Sequence, residues 1–209
     1  MIFMIGSGHV EDGEWQFSVF IADRLETTCE ADIIERWLAH MEAVRTRVAC
    51  EVARPLVFHW SPAETSGMSG ALKSARARSP LRESSWVEPN WFDFLNRVMK
   101  KEPVIVRGPM GFGLKTVARS LKQHGLIETD WPEGVTDGLG AMVAAWWCAD
   151  EARMLGCSLA DVALMAEVSA YNEVDCRVMM EAVRCLRGRV GRRSASRQFD
   201  APWIAQRWG

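Results

Sequence analysis

The opening twenty-two residues constrain this fold more than any other stretch. Residues 2–22, IFMIGSGHVEDGEWQFSVFIA, read as two strands around a turn. Ile2, Phe3, Met4 and Ile5 form an apolar run, and Trp15, Phe17, Val19 and Ile21 alternate with residues facing the other way. Glu11-Asp12-Gly13 supplies the hairpin turn. A leading antiparallel ribbon of this kind suits one edge of a mixed sheet.

Helix and strand patterns then alternate. Ile33, Ile34, Trp37, Leu38, Met41 and Val44 share one face of a helix expected over 29–48. Pro55 to Phe58 is a short strand of buried type, and Pro62 suits the first turn of the helix that follows. The basic, Ser/Pro-rich stretch 73–90 reads as a loop, 91–99 as helical, and Val104-Ile105-Val106 as another strand. GFGLKTVARSLKQHG starts at a Gly-rich bend and closes with Gly125 beyond the last helical residue. A loop through Trp131, Pro132 and Gly134 leads to two long helical patterns, about 138–154 and 158–188. From 189 the chain becomes an arginine-rich tail, with Arg189, Arg192, Arg193, Arg197 and Arg207 against Asp200. The alternation predicts an α/β fold: a mixed sheet flanked by helices over 1–188, with a basic extension over 189–209.

Composition narrows the function classes. The 209-residue chain has a net charge of −2, 48% apolar and 25% charged residues, which excludes disorder and argues against a bulk basic nucleic-acid binder. Without an apolar run of membrane length or a signal-type N-terminus, a cytoplasmic location is expected. Six cysteines without a CxxC pair read as reduced, buried thiols rather than a zinc site. The aromatics comprise ten tryptophans, eight phenylalanines and a single tyrosine, Tyr171, which asks what that phenol does. Trp146-Trp147 and the methionines near 165 and 179–180 are expected in the core.

Three constellations could carry chemistry. In AYNEVDCRVMM, Tyr171 and Asp175 stand four apart in a helical pattern, so they stack one turn apart on one face. A carboxylate there can hold a divalent cation, and a nearby phenol can position a water. The same spacing suits a core phenol beside a solvated carboxylate. In PLVFHWSPAE, a buried strand runs into His59-Trp60, and Glu64 follows in the first turn of a helix. That is a good place for a metal-binding carboxylate at a strand's carboxyl end, and equally for a glutamate stabilised by the helix dipole. Lys115 follows the Gly-rich bend, where a lysine can meet a phosphate or simply face solvent; the Walker spacing is absent. Asp12-Gly13-Glu14 mimics a D-x-E motif but belongs to a turn.

In the order LVFHWSPAE, WFDFLNRVMKKEPVIVRG, GFGLKTVA and YNEVDCRVMMEAVRCLR, the chain resembles the DnaQ-like, or DEDD, 3′–5′ exonuclease superfamily of the Y-x-x-x-D subgroup. The branch it is most similar to is the YprB/RecB-associated ribonuclease H-like nucleases, over about 1–188. The resemblance implies a metal-dependent nuclease that uses two Mg²⁺ or Mn²⁺ ions to hydrolyse DNA or RNA. It makes Asp175 and Glu64 metal ligands and Tyr171 the residue that aligns the water. Lys115, by its place after the Gly-rich bend, and His59 at the strand end are the candidate substrate-binding residues, though a histidine at that place more often simply closes a strand with a hydrogen bond.

One part of the family pattern is missing. The superfamily's first motif, D-x-E on a central first strand, has no counterpart before IFMIG, so the hairpin at 2–22 takes the place of the second and third strands. Two sheet edges would then be open. The expectation is a strand supplied by an upstream segment, or self-association through those edges. A catalytically defective relative that binds nucleic acid is the other reading. The basic residues Lys73, Arg76, Arg78 and Arg82 and the arginine-rich tail are the candidate phosphate contacts.

Overall fold

The computed structural model describes residues 1–60, 62–78, 86–101, 106–131 and 138–193, and for 75, 76, 78 and 189–193 the backbone alone. It is a mixed α/β structure with small sheets. Strands β1 (Met4–Glu11) and β2 (Glu14–Ile21) form the expected hairpin, in register from Met4 opposite Ile21 to Glu11 opposite Glu14. The two-residue turn puts Asp12 at φ 51° and Gly13 at φ 88°, a left-handed pair that asks for Asx-Gly.

Helix α1 (Thr27–Val48) buries Ile33, Ile34, Trp37, Met41 and Val44, the stripe its periodicity predicts. Strand β3 (Leu56–His59) runs parallel to β4 (Asn90–Asp93), with α2 (Pro62–Arg78) in the crossover. A π-helical turn (Leu95–Met99) follows β4. Then come α3 (Leu114–Gln123), α4 (Gly138–Leu155), a short 3₁₀ turn (Leu159–Asp161) and α5 (Ala163–Arg193). Gly125, at φ 64°, ends α3 while the Leu126 amide donates to the Leu121 carbonyl at 2.9 Å.

Alternation along the strands reveals the layers. Phe20 of β2 and Val57 of β3 share a core with Ile33, Ile34 and Trp37 of α1 and Met68, Ala71 and Leu72 of α2. On the opposite face, Phe58 of β3 packs with Val117 and Leu121 of α3 and Val178 and Met179 of α5. Met4 and Ile21 join a third cluster with Ala145 and Cys148 of α4 and Met165 and Val168 of α5. Both strand pairs therefore lie in one layer, with α1 and α2 on one side and α3, α4 and α5 on the other. They remain two separate two-stranded sheets, β1–β2 and β3–β4.

Several local expectations need correction. The stretch 73–78 is the end of α2 rather than loop, because Ala71 and Leu72 continue the buried face that begins at Met68. Of the stretch 91–99 read as helical, Leu95–Met99 form the π-helical turn but 91–93 are strand: alignment beside β3 pairs Trp91 with Val57 and Asp93 with His59, and that overrides the local spacing. The helix α5 continues through Arg193, beyond the boundary read at 188. Trp146 and Trp147 lie outside the core, on the exposed face of α4, because its inner face is filled by small residues. Cys148 and Cys176 are buried, but Cys50 is exposed and the other three thiols are half-buried. Met165, Met179 and Met180 are buried as expected. Val104, Ile105, Arg82 and the tail from 194 lie outside the described residues. Among the described residues no helix is long and apolar enough to cross a membrane.

Candidate functional site

Helix α5 carries Tyr171 and Asp175 and packs against strand β1. Two glycines of β1 admit its close neighbours: a Cβ at Gly6 would collide with the Asn172 side chain, and one at Gly8 with the Trp15 indole. The same indole donates to Glu173 of α5 at 3.2 Å. Tyr171 is buried, and its hydroxyl hydrogen-bonds Asp175.

Three other segments converge on this turn of α5. Glu64, in the first turn of α2, lies near enough for its charge to act on Asp175. Lys115, in the first turn of α3, places its ammonium 4.6 Å from the Tyr171 ring centre and 5.5 Å from that of Trp131. The loop before α3 is held by Trp60, whose indole donates to the Phe112 carbonyl at 2.8 Å. Trp131 donates its indole N–H to an Asp175 oxygen at 2.6 Å. The position of Trp131 is set by Glu181, two turns along α5, which accepts from the Glu128 and Thr129 amides at 2.9 and 3.0 Å.

Electrostatics mark Asp175 as the focus. Burial pushes its carboxyl up from an ordinary value of 3.8 to about 6. The Trp131 hydrogen bond and the Lys115 charge oppose that rise, the Glu64 carboxylate adds to it, and the Tyr171 hydroxyl opposes it. Beside it, burial holds the Cys176 thiol well above its usual range, so that sulfur is an inert core group.

The structure thus brings Glu64, Lys115, Tyr171 and Asp175 together and places His59 elsewhere. His59 is buried at the end of β3, edge-to-face with Trp91 at 5.6 Å, and its charge acts on Asp93 of β4. It shares a strand face with Val57, which packs toward α1 and α2. Lys73 is exposed on α2. Asp12-Gly13-Glu14 is an exposed turn. Trp131 is the site residue that sequence reasoning missed: it lies 44 positions from Asp175 in a loop without periodicity.

The donor set fits part of a divalent-cation site. Two neighbouring carboxylates, one held back from ionising by burial and by the other's charge, make a pair that a cation would relieve. A two-metal centre needs more oxygen donors than these, and among the described residues no three His, Cys, Asp or Glu side chains gather to hold a metal. Comparison with protein-family models, with curated proteins and with solved structures yields no match.

Proposed function

We propose that this chain is a metal-dependent nuclease of the DnaQ-like, ribonuclease H-like type, hydrolysing phosphodiester bonds of DNA or RNA from the 3′ end. The observation that carries this reading is the convergence of Glu64, Lys115, Tyr171 and Asp175 from three separate helices onto one half-buried point. Packing of hydrophobic faces alone does not require a phenol, an ammonium and two carboxylates to meet there.

Each residue has a role that follows from its position. Asp175 and Glu64 would hold Mg²⁺ or Mn²⁺ between α5 and α2. Such a cation, when bound, lowers the pKa of its water and neutralises charge on the phosphate. Tyr171, hydrogen-bonded to Asp175, orients the attacking water. Lys115, whose ammonium lies over the Trp131 and Tyr171 rings beside Asp175, meets the phosphate.

The sheet arrangement supports the same reading. A ribonuclease H-like sheet that lacked its central strand would leave an antiparallel ribbon and a parallel pair in one layer, and this chain has those two units. A further strand added to the open edges of these two sheets, from an upstream segment or a second polypeptide, would bring the remaining acids of a D-x-E motif.

The test is Mn²⁺-dependent digestion of end-labelled single-stranded DNA and RNA by the full-length gene product. Wild type should shorten the strand from its 3′ end, Asp175→Ala should lose the activity, and Tyr171→Phe should lose about a hundredfold. Equal activity in wild type and Asp175→Ala overturns the assignment. A second reading, a non-catalytic nucleic-acid-binding relative, is favoured by the Trp131 indole occupying one Asp175 oxygen. It predicts strand binding that weakens with salt and no digestion.

A further inference from the structure

Helix α4 is built inside out. The face it turns toward α5 consists of small residues, with Ala144, Ala145, Cys148 and Ala152 all buried. Its large apolar side chains point away from the protein: Leu139, Met142, Val143, Trp146 and Trp147 follow one another at helical i, i+3, i+4, i+7 and i+8 spacing, and Met154 continues the stripe. Trp146 and Trp147 are 64% and 70% exposed. No charged residue occurs from 138 to 149, over three turns of a helix with one face in solvent.

The size of this stripe is informative. Those six side chains offer on the order of 800 Å² of apolar surface, more than the largest patch of an ordinary monomer and about what each partner contributes to a stable interface. Its charge distribution selects among occupants. A lipid surface or a nucleic acid would call for lysines and arginines flanking the stripe. The charged residues of α4 are instead Asp150, Glu151 and Arg153, and Asp150 is paired with Arg153 at 2.7 Å. An apolar stripe with so little charge of its own is complementary to itself.

We infer that α4 is a homodimer interface, packed antiparallel against the same helix of a second copy about a twofold axis. Centring the crossing between Trp146 and Trp147 sets these indoles against their counterparts and brings Leu139 beside Met154 of the partner subunit, closing the stripe from end to end. Two tryptophans at the middle of the contact are the anchors such an interface needs. The inference is independent of the nuclease reading, because α4 contributes none of Glu64, Lys115, Trp131, Tyr171 or Asp175.

Sedimentation equilibrium of the full-length chain, from low micromolar to about 100 µM, tests it. Wild type should approach twice the 23.5 kDa chain mass at the upper end. Trp146→Lys with Trp147→Lys, and separately Leu139→Lys with Met154→Lys, should each weaken dimerisation by at least about thirtyfold while the far-ultraviolet circular dichroism is unchanged. If one variant fails to fold, the other decides the matter. A wild type that stays monomeric throughout overturns the inference, as do folded variants that dimerise as tightly as wild type.

Discussion

The indole nitrogen of Trp131 donates to a carboxylate oxygen of Asp175 across 2.6 Å, joining a loop to a helix 44 residues further along the chain. Around that bond lie the Tyr171 hydroxyl, the Lys115 ammonium and the Glu64 carboxylate, so a change at any one of them is felt at Asp175. Asp175 is therefore the place to test the site physically, whether or not the chain cuts nucleic acid.

The raised carboxyl of Asp175 makes stability depend on pH. Its folded pKa, about 6, exceeds the ordinary 3.8, so the folded state binds the proton more tightly than the unfolded chain does. The resulting stability is full below about 3.8 and is lost as pH rises through 6. Asp175→Asn, which keeps an oxygen for Trp131, should therefore stabilise the protein at pH 7.5 by about 2 kcal/mol, with the gain vanishing toward pH 4. Urea denaturation of both chains at the two pH values checks this; a gain independent of pH would contradict it.

Removing the favourable neighbours of Asp175 should raise its pKa further. Trp131→Phe deletes the N–H and keeps an aromatic face for Lys115, while Lys115→Met deletes the charge. Carboxyl ¹³C chemical shifts followed against pH should place the Asp175 midpoint above about 6 in both variants. Glu64→Gln should move it the other way.

A steric cycle tests how α5 sits on the hairpin. Gly6→Ala drives a methyl into the Asn172 side chain, at a cost of about 1–3 kcal/mol. Asn172→Ala in the same chain should recover most of it, since the amide oxygen it removes is buried and has no hydrogen-bond partner. Additive losses in a denaturation cycle would show that α5 does not approach β1 at this point.

On the opposite face of the hairpin, Glu11 accepts from Arg47 of α1 at 2.9 and 3.0 Å and contacts His9 at 3.1 Å. The Arg47 hydrogen bonds, followed by that of His9, hold the Glu11 carboxyl down from 4.5 to about 2. A depressed carboxyl contributes stability above its unfolded pKa and loses it as pH falls from about 4.5 toward 2. Arg47→Met should return the Glu11 midpoint toward its ordinary value in a ¹³C titration.

Local patterns were sufficient where one short-range rule governs the element. Asp12-Gly13 makes the hairpin because a two-residue turn needs two left-handed residues. The stripe from Ile33 to Val44 makes α1, and Gly125 stops α3. The four-residue step from Tyr171 to Asp175 likewise put both on one face of α5. These features depend on neighbours in the chain, and the amino-acid sequence alone determines them. Tertiary contact decided the rest. Residues 90–93 became a strand because β3 lay alongside them, and the small residues of α4 took its inner face, turning Trp146 and Trp147 outward. His59 went to the strand packing beside Trp91, while Trp131 went to Asp175. The physical reason is the same in each case: which partner a side chain meets depends on elements tens of residues away, and no local periodicity encodes that distance.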